Sequence, residues 1–162
     1  MALIMEKVTI RKATIDDLGV IQQLASELFE YEHQRWDDTI DPNWPFSEEA
    51  TASYKKAINE KVTLVAERDG SPAGYLIGKI FPADPKAARQ ASAAYLENIY
   101  ISSDYRGSGM GEQLIKEFSD RCKDEGAEKI DVMVNAKNAN AIKFYEKMGY
   151  ATSRLLMSKE LK

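Results

Sequence analysis

Two features of this chain could do chemistry. The first is Glu97, a carboxylate inside an otherwise apolar run that carries Ile99, Tyr100 and Ile101. Burial in such a strand would raise its pKa toward the range where it can accept a proton from a substrate. The second is the stretch Arg106-Gly107-Ser108-Gly109-Met110-Gly111, which opens onto a helical pattern of Met110, Leu114, Ile115, Phe118 and Cys122. A helix start leaves several backbone N–H groups unpaired at the positive end of its dipole, which is a ready site for a phosphate or pyrophosphate. The glycines let an anion approach the backbone closely, and Arg106 adds a fixed positive charge.

The spacing decides between kinds of anion loop. A P-loop requires Lys-Ser or Lys-Thr after its last glycine, whereas Gly111 is followed by Glu112-Gln113. A dinucleotide fingerprint would put its third glycine at Glu112 and its ribose-binding acid at Asp131, inside a strand expected over 130–134. Both readings fit poorly. Other chemistries are thinly supplied: one cysteine excludes an intramolecular disulfide, and a single histidine argues against a zinc cluster. A catalytic triad would have to use His33, which has no supporting motif around it.

The elements that must position these residues follow from periodicity. Residues 7–11 alternate as a first strand, and Thr14 with Asp17 marks the start of a helix carrying Leu18, Ile21, Leu24, Ala25 and Leu28 to about Tyr31. An aperiodic loop rich in aromatics and acids spans 32–46, and Ser47 opens a second helix ending before Lys61. Residues 62–66 and 73–81 read as a hairpin, with Gly74 and Gly78 suggesting a bulge or a close approach by another backbone. A surface loop over 82–93 leads to the strand 96–101, the glycine loop and a helix that Gly126 ends. A strand over 129–134, a helix over 138–148 closed by Gly149, and a last strand over 150–157 complete the chain, with a frayed end after it. The connection from 96–101 to 130–134 should be a right-handed parallel crossover.

The 162 residues, 44% hydrophobic and 30% charged, fit one soluble domain over 1–162. A net charge of −4 argues against nucleic acid or anionic membrane as a partner. With no signal peptide and no apolar run long enough to span a bilayer, a cytoplasmic location is expected.

Arg106-x-x-Gly109-x-Gly111 resembles the Arg/Gln-x-x-Gly-x-Gly/Ala motif of the GNAT superfamily of N-acetyltransferases, and the order of elements resembles that fold over essentially the whole chain. The segment from Asn138 through Ala141, Tyr145 and Gly149 to Tyr150 is similar to a second signature of the family, with Tyr150 where a phenylalanine is usual. The resemblance implies an α/β fold with a mixed, mostly antiparallel sheet of six to seven strands, a central parallel βαβ unit and helices on both faces. It implies acetyl-CoA as co-substrate, no metal, and a small-molecule or peptide amine as acceptor; a homodimer is common in the family.

Residue roles follow from the same resemblance. The pyrophosphate would lie on Arg106, Gly107, Ser108, Gly109, Met110 and Gly111, and the pantetheine arm on Ile99, Tyr100, Ile101, Asn138 and Ala141. Glu97 would be the general base and Tyr145 the general acid for the departing thiolate. A free alkyl amine has a pKa of roughly 10.4, so a base is needed at neutral pH. Strand alternation would set Glu97, Ile99 and Ile101 on one face, with Asn98 and Tyr100 on the other. Tyr95-Leu96-Glu97, the run 103–107 and the pair Tyr31-Glu32 resemble the diamine (spermidine/spermine-type) acetyltransferases, which makes Tyr31, Glu32 and Asn98 candidate substrate contacts. Those enzymes carry an aspartate where this chain has Asn98. The alternative is a catalytically silent acyl-CoA-binding module on the same fold.

Overall fold

The structure is a computed structural model and describes residues 7–82 and 93–161. Its centre is one sheet of five strands in the order β1-β2-β3-β4-β5. These are β1 (Val8–Lys12), β2 (Val62–Arg68), β3 (Ser71–Phe81), β4 (Ala93–Ile101) and β5 (Lys129–Val132). The first four pair antiparallel in succession, and β4 pairs parallel with β5. The β2–β3 hairpin turns at Asp69 and Gly70, both at positive φ, as a tight hairpin turn requires.

Four helices cover the two faces: α1 (Leu18–His33), α2 (Glu48–Glu60), α3 (Met110–Asp124) and α4 (Ala139–Lys147). On one face Ile21, Leu24 and Ala25 of α1 and Tyr54, Ala57 and Ile58 of α2 pack on Val65, Tyr75, Ile77 and Tyr100. On the other, Met110, Leu114, Ile115, Phe118 and Cys122 of α3 and Tyr145 of α4 pack on Leu64, Leu76, Ala94 and Leu96. The alternation of strand side chains feeds both cores at once.

The helix boundaries have local causes. Asp17 accepts from the Thr14 N–H at 2.7 Å and pairs with Arg11 of β1, whose guanidinium also meets Glu67 of β2. Ser47 caps α2 by accepting from the Ala50 N–H at 3.1 Å. At the end of α4, Gly149 adopts φ 89°. Its N–H donates to Glu146 C=O and that of Tyr150 to Tyr145 C=O, both at 3.0 Å, a Schellman cap that lays Tyr150 against Tyr145.

Three expectations change. Residues 150–157 form no strand; 151–161 run without regular structure and are exposed, so the sheet has five strands among the described residues. β5 stops at Val132, and the surface loop expected over 82–93 lies almost wholly outside the described residues. Among the described residues, no helix is long and apolar enough to cross a membrane.

Gly78 of β3 faces α3 so closely that a Cβ there would lie 2.3 Å from the Phe118 ring. Gly78→Ala should therefore cost about 1–3 kcal/mol through overpacking. Urea unfolding of the two proteins measures it; equal midpoints would show that Phe118 moves aside freely.

Candidate functional site

The site begins where β4 and β5 part. Their parallel pairing runs from Ala93↔Lys129 to Leu96↔Val132, and β4 then continues alone on that side to Ile101. At the same point the β3–β4 register shifts: Ile77 pairs Asn98, but Gly78 pairs Leu96, so Glu97 is the extra residue of a bulge. Beyond β4, the Ser102 N–H donates to Ala73 C=O at 2.9 Å. Alternation in an antiparallel ladder then directs the backbone groups of Asn98 and Tyr100 toward β3. Those of Ile99 and Ile101 point the other way, into the gap that β5 leaves. The Ile101 C=O there accepts from Arg106 Nε at 3.1 Å.

The glycine loop borders this gap. Gly107 and Gly109 hold φ of 73° and 79°, the left-handed region that glycine adopts without strain, and Gly109 is the N-cap of α3. The Gln113 N–H donates to Gly109 C=O at 3.1 Å, so the N–H groups of Met110, Gly111 and Glu112 lie in the helix turn that has no intrahelical acceptor. A Cβ on Gly111 would lie 3.2 Å from the Phe144 ring of α4 and 4.0 Å from Ile101 Cγ1. This glycine thus lets the start of α3, the end of β4 and α4 converge. An open hollow of about 340 Å³ beside the loop is lined by Val8, Arg68, Arg106, Gly107 and Ser108.

From α4, Asn138 accepts from the Ala141 N–H at 3.0 Å and so caps the helix. Tyr145 is buried, with its ring centroid 5.4 Å from those of Phe144 and Tyr150. Burial, with Tyr150 alongside, holds its phenol well above the usual tyrosine range, so it keeps its proton. Ile99, Ile101, Met110, Ala141 and Tyr145 all belong to one core.

The candidate acceptor side lies across the sheet, where Tyr100 belongs to the α1–α2 core. Arg106 spans the two sides, with its guanidinium 4.9 Å from the Tyr31 ring centroid and 5.3 Å from that of Tyr100. Tyr31 also stacks under Arg35 at 3.9 Å and meets Trp36 edge-on at 5.1 Å. Glu32 is half-buried; desolvation, reinforced by Asp37, raises its carboxyl above the ordinary range. Asn98 sits opposite Ile77 next to the bulge.

The bulge corrects the face expected for Glu97. It leaves the row of Ile99 and Ile101, and both of its oxygens accept from Lys61 Nζ, at 2.7 and 2.6 Å, beside the C-terminal end of α2. Sequence reasoning missed two residues, Lys61 and Arg68. Neither carries a local signal, because contacts distant in the chain bring them to the site: Lys61 from the end of α2 and Arg68 from β2. Burial pushes the Cys122 thiol up to about 11, far from the reactive thiolate. Among the described residues no group of three or more His, Cys, Asp or Glu could hold a metal ion.

Comparison with known proteins identifies the family and the fold. The profile of the "Acetyltransferase (GNAT) family" matches residues 21–150. A thialysine N-epsilon-acetyltransferase from Sus scrofa is 31% identical over 150 residues, covering 90% of this chain and 85% of that one. The N-acetyltransferase YdgE of Bacillus subtilis is 32% identical over 79 residues, about half (49%) of each chain. Among solved structures, a mutant of the BH1408 protein from Bacillus halodurans superposes with a TM-score of 0.84 at 20% identity, covering 95% of this chain and 99% of that one. An aminoglycoside N-acetyltransferase, AAC(6')-Iy in complex with CoA, gives 0.73 at 16% identity and 99% coverage of both chains. At these identities the structures speak for the fold, and the profile speaks for the family. The chain belongs to the acetyltransferase (GNAT) family, a family of acetyl-CoA-dependent acyltransferases.

Proposed function

We propose that this chain transfers an acetyl group from acetyl-CoA to a primary amine by direct attack in a ternary complex. The observation that carries the proposal is the gap beside Ile99 and Ile101. Backbone donors and acceptors there, unpaired by β5, match what the amide-bearing pantetheine arm needs, much as an added strand would. The open turn of α3, with Gly107, Ser108, Gly109, Met110, Gly111 and Arg106, lies where the pyrophosphate would follow, and Asn138 and Ala141 border the arm from α4. Arg68, in the hollow beside the loop, is placed to meet a phosphate as well.

The chemistry needs the amine nitrogen to lose a proton as it attacks the thioester carbonyl. Glu97 takes that proton, directly or through water; the C–S bond then breaks, and the phenol of Tyr145 gives the departing sulfur its proton. A backbone N–H at Ile101 or its neighbour stabilises the tetrahedral oxyanion. Tyr145 holds its proton at neutral pH and so is available as a donor. Glu97 must first exchange Lys61 for the substrate or a water. The acceptor is a small-molecule or peptide amine of diamine or thialysine type, received between the α1 end and β4 by Tyr31, Glu32 and Asn98. The setting is the cytoplasm, without nucleic acid or membrane, in keeping with the net charge of −4.

The Lys61–Glu97 pair is also the one observation that favours a silent acyl-CoA-binding module, since it occupies the proposed base. Thermal stability with acetyl-CoA, followed by thiol release against a panel of amines, separates the two readings. A saturable rise in Tm with amine-dependent release is expected; a rise without release from any amine supports the module, and no rise removes the coenzyme site. Tyr145→Phe should lower kcat roughly 10²-fold while leaving the Kd for coenzyme A nearly unchanged. Unchanged turnover would remove Tyr145 as the acid. Glu97→Gln should flatten the rise of kcat/KM with pH, because a carboxamide cannot take the amine's proton; an unaltered profile would count against Glu97.

A further inference from the structure

We infer that Lys61 is a self-acetylation site: its Nζ is an internal acceptor that takes an acetyl group when acetyl-CoA is bound and no external amine has displaced it. The inference rests on the transferase reading above. Its observation is the position of Lys61 Nζ, 2.7 and 2.6 Å from the two oxygens of Glu97, the proposed base. An acceptor amine must stand against that carboxylate to give up its proton, and Lys61 is a primary amine already standing there. A part-exposed ion pair adds little to stability, so its place matters more than its energy.

The fold holds Lys61 at that place. It ends α2 and leads into β2, where Val62 pairs with Gly78 of β3, and Gly78 with Leu96 of β4, level with the bulge. On the proposed path the pantetheine arm runs from the glycine loop past Ile101 and Ile99 toward Glu97, so the thioester ends beside this amine. Two groups held together in this way react without a separate encounter. The Lys61 side chain is 23% exposed, whereas Lys56, Lys116, Lys129 and Lys147, paired on the surface, are 53–76% exposed. The step balances. The Lys61 ammonium gives one proton to Glu97, which passes it to solvent. The nitrogen then bonds the thioester carbonyl carbon, the C–S bond breaks, and the departing sulfur takes the Tyr145 proton. The nitrogen gives up a second proton, which restores the Tyr145 phenol through solvent.

The test incubates the full chain with acetyl-CoA alone and reads acetylation residue by residue by peptide mass spectrometry. Exposed Lys56 and Lys116 serve as internal standards for uncatalysed reaction. Lys61 should be labelled well ahead of both, at a rate that does not change with protein concentration. Excess coenzyme A should suppress the label on Lys61 alone. Glu97→Gln should slow it roughly 10²-fold; uncatalysed acetylation would run the other way, since losing the carboxylate frees the amine. Lys61 labelled no faster than Lys56 and Lys116, or a label indifferent to coenzyme A or to Glu97→Gln, overturns the inference. So does a rate that climbs with protein concentration, because one copy then modifies another. Thiol release with the amine panel is measured on the same sample. Release without a label on Lys61 removes this inference and leaves the transferase reading standing. A label on Lys61 with no release from any amine supports the inference and removes transfer to an external acceptor, and the absence of both label and release removes both readings.

Discussion

The structure depends on one strand serving two neighbours that stop agreeing. β4 follows β3 along its whole length but keeps β5 only as far as Leu96. The bulge at Glu97 sits at that boundary, and a bulge bends its strand and increases the local twist. The end of β4 is thereby turned away from β5, and the backbone groups of Ile99 and Ile101 are left facing a gap inside an otherwise complete sheet. Such groups rarely stay unpaired in a fold. Here Arg106 answers one of them by donating to Ile101 C=O. On the proposed function, the gap is where the amides of the pantetheine arm would pair with β4.

Two close approaches set α3 against this gap. Phe118 sits over Gly78 of β3, and the first turn meets Phe144 and Ile101 over Gly111. A Cβ at Gly78 would meet the Phe118 ring at 2.3 Å, and one at Gly111 would press on the Phe144 ring at 3.2 Å. With both glycines in place, the positive end of α3 lies at the end of β4, where the dipole and the unpaired N–H groups act together. The cap at the other end of α4 has a similar reach: by laying Tyr150 on Tyr145 it completes the burial that keeps the Tyr145 phenol protonated.

What the sequence disclosed was whatever is encoded locally. The strand–glycine loop–helix unit, the Ser47 and Asn138 caps and the glycine that closes α4 each rest on a few adjacent residues, and each is found where its pattern placed it. Gly78 hinted at a bulge, and the register does shift beside it, but the extra residue of β4 was not legible. No glycine or proline marks Glu97, so strict alternation assigned it to the face of Ile99, and the register shift that moves it arises only from pairing with β3. Its partner Lys61 lies 36 residues away in the chain. Arg68 reached the glycine loop in the same way, through the alignment of β1 and β2. The final strand failed for a related reason: apolar residues in an extended run state a preference, but a strand exists only where an edge is there to receive it.

The Lys61–Glu97 contact fits the proposed chemistry better than its obstruction first suggests. The acceptor of such a reaction arrives as a primary ammonium, the same group that Lys61 presents to both carboxylate oxygens. On that reading, exchange of Lys61 for substrate replaces one ammonium–carboxylate pair by another, so the part-buried carboxylate is not left without a partner. Lys61 caps the C-terminal end of α2, where its charge is also favoured by the helix dipole, so the released ammonium has a second place to rest. On the proposed function the base would be unmasked only when an amine takes the lysine's place, coming from the side where the end of α1, with Tyr31 and Glu32, lies against β4.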